Sequence, residues 1–375
     1  MIYKNVIGLC NLHDSPELGE LTSERTLGST SFLCRYALMD FTLSNFCNSG
    51  IDKVGILIKN SPRSVIKHLG SMNAWNMNTK LGSEVIMYND TGILNPPYNH
   101  DIANIRKNDW FLYSKKADYV VIAPAHVVTT MDYRPIIDEH IKNGNEITLV
   151  YKRIKDGKDA FRTHNIVTLD EEGYINSFKR NKQDVDDIDV SLETYVINKD
   201  VLAELVNVHS DQINALYGIK ELIINLATRG IYKVKGYEHK GYARSFDSLA
   251  HFMEYSFELL DVRPSSELFR ENWPIYTKTH DSIPALYGPK SNVKNSFIAN
   301  GAKVFGKVSG SIISRDVVIE EGAVVKNSII LTKTIISKGV TLDHVVIDKY
   351  SHISSPVTLT GTKEKPIYFK QGARL

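Results

Sequence analysis

A six-residue aliphatic repeat in the C-terminal part of the sequence constrains the fold more than any other feature. Its members are Ile312, Val318, Val324, Ile330, Ile336 and Leu342. This stride fits neither an α-helix, whose period is about 3.6 residues, nor a strand, whose side chains alternate. It fits a parallel β-helix in which each short side of a coil points one aliphatic residue inward. Ile298 and Val304 precede the series at the same stride, offset by two residues, so we predict a β-helix domain over residues 291–375.

Residues 1–262 have a different pattern, in which short aliphatic runs alternate with segments of helical periodicity. Strands are predicted at Val6–Cys10, Lys53–Ile58, Tyr119–Ile122, Glu146–Tyr151, Thr194–Ile197 and Tyr232–Val234. Helices are predicted at Pro135–Asn143, Lys199–Asn207, Lys220–Arg229 and Ser245–Asp261. This alternation is typical of a largely parallel sheet covered on both faces, which predicts an α/β domain. The proline-containing segments Arg263–Ser266 and Trp273–Ile275 then predict a linker over residues 263–290.

Composition excludes several classes of function. Lysine and arginine number 45 against 43 acidic residues, and a net charge of +2 is too small for nucleic acid or an anionic membrane as the main partner. No stretch approaches the roughly 20 apolar residues needed to cross a bilayer, and the N-terminal apolar run is shorter than that of a secretory signal. Cys10, Cys34 and Cys47 lack metal-binding spacing, which favours reduced thiols. We therefore expect a cytoplasmic protein.

The segment from Phe32 to Ile51 reads FLCRYALMDFTLSNFCNSGI. It resembles the F-x-G-x-Y-R-L-I-D-F-x-L-S-N-x-x-N-S-G-I stretch of ADP-glucose pyrophosphorylases, the bacterial glucose-1-phosphate adenylyltransferases, and Asn272–Thr277 resembles their inter-domain junction. The resemblance implies a Rossmann-like nucleotidyltransferase domain with a mostly parallel sheet, followed by a left-handed parallel β-helix of hexapeptide repeats. Catalytic members make ADP-glucose and pyrophosphate from ATP and glucose 1-phosphate, and Mg²⁺ offsets the charge on the phosphates.

The two carboxylates that hold Mg²⁺ in this family are missing from the matching positions. In the segment that resembles G-D-H-x-Y, Ala125 stands in place of the aspartate, directly before His126. In the segment that resembles G-Y-W-x-D-V-G-T, Ser245 stands in place of the second aspartate, and Asp247 follows two residues later. Without both carboxylates, the charge stabilisation that dominates phosphoryl transfer is lost, so we predict no catalytic residue and no metal ligand in this chain.

The glycine-rich loop that cradles phosphates in the family is also changed. Leu9 and Leu12 lie where that loop needs glycines, and Leu27 stands in place of the family lysine. Bulky side chains block the close approach of a phosphate to the backbone. Asp14, Glu17 and Glu20, which lie between Leu12 and Leu27, would repel a triphosphate. The sequence therefore predicts a loop that does not bind ATP phosphates.

A residual sugar-phosphate pocket is still predicted. Ser191 and Tyr195 match the family's A-S-x-G-x-Y segment near glucose 1-phosphate. Asn181 replaces the lysine of its F-x-E-K-P segment, which leaves Lys179 or Arg180 as the nearby cation. The candidate residues for this pocket are Arg25, His126, Lys179, Ser191, Tyr195 and Asp247.

The preserved scaffold and the altered site resemble the non-catalytic, GlgD-type subunit of the family. Such a regulatory subunit is expected to assemble with a catalytic subunit, as a heterotetramer, and to activate it in glycogen biosynthesis, with Mg²⁺ bound only in the catalytic partner. A sugar phosphate is the candidate effector. Its candidate contacts in a cleft between the domains are Arg263, Lys290, Lys294 and Arg315.

Two other functions stay open at this point. One is an active sugar-nucleotide pyrophosphorylase that uses displaced residues, namely Asp132, Asp247 and Arg25. The other is a coenzyme A-dependent hexapeptide acyltransferase, because such β-helices also carry enzymes with a histidine base. His344 and His352 are the candidates for that base, although the long N-terminal domain would then have no purpose.

Overall fold

The computed structural model describes residues 5–70, 73–75, 83–89, 99–113, 116–213, 218–279, 281–354 and 356–375. The strands of the first part are β1 (Val6–Asn11), β2 (Ser31–Phe32), β3 (Tyr36–Ala37), β4 (Lys53–Ile58), β5 (Ser83–Tyr88), β6 (Tyr119–Pro124), β7 (Val127–Thr129), β8 (Ile147–Ile154), β9 (Asn165–Leu169), β10 (Ile175–Arg180), β11 (Ile188–Asn198), β12 (Val234–Glu238) and β13 (Ala243–Ser245). The helices are α1 (Met39–Asn48), α2 (Pro62–Leu69), α3 (Asp101–Lys107), α4 (Trp110–Tyr113), α5 (Arg134–Lys142), α6 (Lys199–Glu204), α7 (Ser210–Ile213), α8 (Ile219–Thr228), α9 (Leu249–Glu258) and α10 (Val262–Leu268).

The central sheet is built around parallel strands. Its order is β10-β9-β11-β6-β1-β4-β5, and β8 pairs with both β11 and β12. Strands β6, β1, β4 and β5 are parallel, whereas β11 runs antiparallel to β6 and β8. Along β1, Val6 and Cys10 pack into one hydrophobic cluster and Ile7 and Leu9 into another, because successive side chains of a strand point to opposite faces. The predicted α/β domain is confirmed.

Most element boundaries agree with the sequence to within a few residues. The six predicted strands correspond to β1, β4, β6, β8, β11 and β12. The helix predicted from Ser245 begins only at Leu249, because Ala243–Ser245 pairs with Val127–Thr129 as a strand. Ser248 then caps the helix, and its Oγ accepts a hydrogen bond from the backbone N–H of His251 at 3.0 Å. Among the described residues, no helix has the length and apolar character needed to span a membrane.

The C-terminal part is a run of parallel strands in three sheets, as a left-handed β-helix of hexapeptide repeats has. Its strands are β14 (Leu286–Tyr287), β15 (Asn292–Lys294), β16 (Phe297–Ile298), β17 (Lys303–Val304), β18 (Lys307–Ser309), β19 (Ile312–Ile313), β20 (Val318–Ile319), β21 (Val324–Lys326), β22 (Ile329–Ile330), β23 (Ile335–Ile336), β24 (Thr341–Asp343), β25 (Val345–Ile347), β26 (His352–Ile353), β27 (Thr358–Thr360) and β28 (Ile367–Phe369). The three sheets begin with β14, β15 and β16, and each contains five strands. At one corner the backbone N–H of Ser328 donates to Oγ of Ser311, 17 residues earlier. This is the length of the coil from Lys307 to Val324, whereas the coil from Asn292 to Lys307 has 15 residues.

The inward positions differ from the predicted six-residue series in the first half of the repeat. Ile313, Ile319 and Val325 fill the interior there, together with Ile330 and Ile336 further on. Hence the prediction of Ile312, Val318 and Val324 as inward residues was wrong by one position. The physical reason is the 17-residue coil, which cannot be divided into three sides of six. Ile312 instead packs against the N-terminal domain, and Val318 and Val324 are half-buried.

This register makes a testable prediction. Ile319→Ala is expected to lower the free energy of unfolding by about 2–5 kcal/mol, because the side chain is fully buried and its loss leaves a cavity. Val318→Ala, one position away and half-buried, is the matched control and is expected to cost less than about 1 kcal/mol. Urea unfolding of both variants measures the difference. A larger loss of unfolding free energy for Val318→Ala than for Ile319→Ala would instead support the uninterrupted six-residue register.

The two parts of the chain pack closely against each other. One hydrophobic cluster combines Phe32, Phe41 and Phe246 of the first part with Ile312 and Ile329 of the β-helix.

Residues 263–290, predicted to be a linker, begin inside α10 and contain β14. Between these elements, Trp273 donates a hydrogen bond from its indole N–H to Oδ1 of Asn45 at 2.9 Å. The connecting segment therefore packs against the N-terminal domain.

Candidate functional site

Ala125, which the resemblance matches to the family's first metal carboxylate, directly follows β6 and has no side-chain ligand atom. Ala125 is fully buried, and its backbone N–H donates to the carbonyl of Asn11 at 2.9 Å. The turn Leu27–Ser29 closes over it, because a Cβ added to Gly28 would lie 3.0 Å from Cβ of Ala125 and 3.1 Å from Cδ2 of Leu12. Apolar side chains therefore occupy the space beside this position.

Ser245, which the resemblance matches to the second metal carboxylate, makes a structural contact. Ser245 ends β13 and is fully buried, with its Oγ 2.8 Å from Nε2 of His164. Nδ1 of the same ring lies 2.8 Å from the carbonyl oxygen of Ser191. His164 thus joins β13 to β11 through two hydrogen bonds. A methyl group and a hydroxyl at the two positions do not fit the oxygen-rich coordination that Mg²⁺ requires.

Glu193, which the sequence analysis did not single out, lies at the centre of the site. Its backbone φ is +52°, and its N–H donates to Oγ of Ser191 at 3.1 Å. Its carboxylate lies 3.0 Å from Nζ of Lys220 and 3.7 Å from Nε2 of His126. Burial alone would raise the pKa of the Glu193 carboxyl, but His164, Lys220 and His126 oppose it and lower the pKa to about 2. The signal in the sequence was that Glu193 occupies the glycine position of the A-S-x-G-x-Y segment.

His126, His164 and Glu193 bring atoms that could bind a metal within 4.8 Å of one another. Both ring nitrogens of His164 already make hydrogen bonds, and the carboxylate pairs with Lys220. Burial lowers the pKa of His126 to about 3, so this imidazole is neutral near pH 7. Nε2 of His126 contacts Glu193 at 3.7 Å, whereas its Nδ1 is buried and makes no hydrogen bond to the described residues. We interpret the three residues as a polar network that supports the fold.

The neutral state of His126 makes stability depend on pH. In the unfolded chain the imidazole regains its ordinary pKa of about 6.5. Between about pH 6.5 and 3 the unfolded chain binds a proton that the folded chain excludes, so stability falls as the pH is lowered through this window. His126→Gln is expected to reduce that pH dependence by about 1.4 kcal/mol per pH unit. Urea unfolding at about pH 7, 6 and 5 measures it; an unchanged slope would contradict the assignment.

A small acidic cleft adjoins Glu193 and is lined by Tyr195, Asp14, Asp101 and Lys220. Asp101 is buried and accepts hydrogen bonds from Nδ2 of Asn11 and from the backbone N–H of Ile219, each at 2.9 Å. Burial and the nearby carboxylates raise the pKa of Asp14 well above its ordinary value and also raise that of Tyr195. Lys220 is the cation among these lining residues, and it pairs with Glu193.

The structure separates the remaining candidates from this group. Arg25 lies at the domain interface, where its guanidinium makes two hydrogen bonds to the carboxylate of Asp348, at 3.0 and 2.6 Å. Lys179 is exposed on β10 at the edge of the sheet. His126, Ser191 and Tyr195 therefore surround or adjoin Glu193, whereas the other candidates do not.

Asp247 is held in a separate cluster. Its carboxylate accepts a hydrogen bond from the backbone N–H of Arg162 at 3.0 Å and lies 2.5 Å from Nδ1 of His251. Asp132 is paired with Arg134 through Nη2 at 2.7 Å. The carboxylates that an active enzyme with displaced residues would need are thus engaged elsewhere.

The two histidines considered as an acyltransferase base also have local partners. Nδ1 of His344 lies 2.7 Å from Oδ1 of Asp343. Nε2 of His352 lies 3.1 Å from Oγ of Ser337.

A basic cleft of about 540 Å³ lies between the two parts of the chain. The cations that line it include Arg35, Arg63, Lys67, Lys278, Arg315, Lys333 and Lys349. Burial, together with the nearby Arg25, lowers the pKa of Lys349 to about 8. Of the four effector contacts proposed from the sequence, only Arg315 lines this cleft, since Lys290 pairs with Glu321, Arg263 pairs with Glu267, and Lys294 is exposed on β15.

Two family models match the chain. The nucleotidyl transferase model matches residues 17–235, and the GlmU-like C-terminal hexapeptide model matches residues 284–365. The fold is therefore that of a nucleotidyltransferase domain joined to a hexapeptide β-helix.

Similarity to curated proteins shows which family of nucleotidyltransferases the chain belongs to. The glucose-1-phosphate adenylyltransferase of Fervidobacterium nodosum is 30% identical over 347 residues, which cover 92% of this chain and 83% of that protein. The glycogen biosynthesis protein GlgD of Bacillus subtilis is 29% identical over 357 residues, which cover 95% of this chain and 92% of that protein. The chain belongs to the glucose-1-phosphate adenylyltransferase family, as the resemblance of Phe32–Ile51 indicated.

Proposed function

We propose that this chain is a regulatory subunit of ADP-glucose pyrophosphorylase with no catalytic activity of its own. It acts in glycogen biosynthesis in the cytoplasm, where it assembles with a catalytic subunit as a heterotetramer. It raises the rate at which that subunit converts ATP and glucose 1-phosphate to ADP-glucose and pyrophosphate. The observation that carries the proposal is the presence of Ala125 and Ser245 at the two metal positions of an otherwise preserved scaffold. The similarity to GlgD over 95% of the chain supports it.

The chemistry of the cleft supports the absence of activity. Phosphoryl transfer needs positive charge where pyrophosphate departs, and loss of one stabilising group typically lowers the rate on the order of 10²–10³-fold. Here both metal carboxylates are absent, and groups that act as a unit lose more than one group does. Asp14, Asp101 and Glu193 line the same region, and the one cation among the lining residues, Lys220, is already paired with Glu193. This lining therefore leaves no free positive charge to hold a triphosphate.

Activation of the partner follows from differential binding. A subunit shifts its partner's conformational equilibrium only by the difference in its affinity for the two conformations. This chain keeps the domain arrangement of the family, so it offers a catalytic subunit the same kind of surface without adding a second reaction. A sugar phosphate bound in the basic cleft beside Arg315 and Lys349 would be the effector, because clustered cations favour phosphate groups.

Kinetics of the separate and mixed proteins test the proposal. The chain alone is assayed for pyrophosphate release from ATP, Mg²⁺ and glucose 1-phosphate, and then with a catalytic subunit from the same organism. We expect no turnover alone and a higher kcat or a lower KM in the mixture. The catalytic subunit at the same total protein concentration is the control. Robust turnover by the chain alone would favour the active enzyme with displaced residues, and an unchanged mixture would contradict a regulatory role.

A further inference from the structure

We propose that Asp159, His251 and Glu254 form a binding site for a divalent transition-metal ion of the Zn²⁺ class, separate from the nucleotide cleft. One ligand atom from each residue can be chosen so that all three lie within 4.8 Å of one another. Asp159 belongs to the loop after β8, and the other two residues lie on α9. Their spacing of three residues places His251 and Glu254 on one face of that helix.

The histidine is oriented as metal-binding histidines are. His251 is 1% exposed, and its ring stacks on Tyr255 with centroids 4.8 Å apart. Its Nδ1 donates to the buried carboxylate of Asp247 at 2.5 Å, so the lone pair of the neutral ring is on Nε2. Metal-ligating histidines commonly donate their other ring N–H to a carboxylate in this way. Asp247 therefore positions His251.

The second ring nitrogen, Nε2, is buried and makes no hydrogen bond to any residue that the structure describes, although it contacts Asp159 as an ion pair. Such an unpartnered polar atom needs an explanation, because leaving one unpaired costs free energy. The nearest carboxylate oxygen, Oδ2 of Asp159, lies 3.4 Å away. Tetrahedral Zn²⁺ with bonds of about 2.0–2.2 Å holds its ligands roughly 3.4 Å apart. The separation of Nε2 and Oδ2 thus matches two ligands of one ion.

Each carboxylate keeps one oxygen for the ion. Oδ1 of Asp159 pairs with Arg162, which leaves Oδ2 facing the histidine. Oε1 of Glu254 pairs with Lys363 of the β-helix at 2.9 Å, which leaves Oε2. These two cations balance part of the negative charge and fix the carboxylates in place.

Access and donor type favour a transition metal. The side chain of Asp159 is 58% exposed and that of Glu254 is 30% exposed, so an ion can enter from solvent and keep a water ligand. One imidazole nitrogen with two carboxylate oxygens suits Zn²⁺ or Co²⁺, whereas Mg²⁺ prefers oxygen ligands alone. A bound ion would join the β8–β9 loop to α9.

Calorimetric titration of the metal-free chain, without a polyhistidine tag, tests the site with Zn²⁺ alone. We expect a single equivalent to bind, His251→Gln to weaken binding by at least about 100-fold, and Asp247→Asn to weaken it by about 10–100-fold. His344→Asn is the matched control, because His344 also pairs with an aspartate; its binding should be unchanged. A large excess of Mg²⁺ should not displace Zn²⁺.

Asp159→Asn and Glu254→Gln keep the test valid if His251→Gln fails to fold, because both side chains reach the surface. Each should weaken Zn²⁺ binding about 10-fold or more, with unchanged circular dichroism in the absence of metal. The proposal is overturned if Zn²⁺ does not bind, if Mg²⁺ displaces it, or if these variants bind normally while His126→Gln loses the ion.

Discussion

Replacing Arg25 by methionine is expected to lower the free energy of unfolding by about 3–5 kcal/mol. The guanidinium and the carboxylate of Asp348 are both buried, and they join residues that are 323 positions apart in the sequence. Methionine keeps the aliphatic packing but leaves the Asp348 carboxylate with the Tyr368 hydroxyl and the backbone N–H of Lys349 as its remaining donors among the described residues. An unpaired buried charge is far more destabilising than the pair is stabilising. Urea unfolding measures the loss.

The control for this experiment is Arg153→Met. Arg153 makes a similar pair with Asp189, but its side chain is 62% exposed, so the expected loss is below about 1 kcal/mol. A double variant, Arg25→Met with Asp348→Asn, should recover part of the stability because it removes the orphaned charge. Equal losses for Arg25→Met and Arg153→Met would show that the interface does not depend on the buried pair.

Replacing Lys220 by methionine is expected to have an effect of similar size, about 3–5 kcal/mol, at the centre of the nucleotidyltransferase domain. The reason is that Glu193 is buried and its pKa of about 2 depends on Lys220 and the two histidines. Without the ammonium, the carboxylate must be protonated or stay unpaired. Thermal and urea unfolding near pH 7 measure the change.

A double-mutant cycle with Glu193→Gln isolates this interaction. The variant with both substitutions should be more stable than Lys220→Met alone, because a neutral amide replaces the isolated charge. Lys158→Met serves as the exposed control, since Lys158 and Asp186 form a pair at the surface and should lose less than about 1 kcal/mol. Additive effects in the cycle would mean that Lys220 and Glu193 do not stabilise each other.

The sequence predicted the fold well because its signals are local. Aliphatic runs such as Lys53–Ile58, and the repeat of the β-helix, indicate strands from their own residues, without information from the rest of the chain. The register of the β-helix was harder, because neighbouring aliphatic residues such as Val318 and Ile319 fit two phases equally well. Only the pairing of successive coils decides which of the two points inward.

The sequence could predict only those parts of the candidate site that depend on matching a family motif position by position. Ala125 and Ser245 were assigned to the metal positions from the motifs alone; Ala125 directly follows β6 and Ser245 ends β13. The partner of Arg25 depends on how the β-helix docks, and no local pattern encodes a contact over that separation. Asp247 precedes Ser248, the cap of α9, so its contact with His251 is not a contact within the helix and the helical spacing did not predict it.

The 17-residue coil also limits how this domain can change in length. Insertions or deletions within a flat side would turn every following inward residue toward water, so growth must occur by whole turns or at a corner. The last complete turn shows growth at a corner, because a longer loop separates Val345 from its partner Ile367. That loop carries Lys363, which contacts Glu254. A corner thus gives evolution a place to add residues and reach the neighbouring domain while the stacked core stays unaltered.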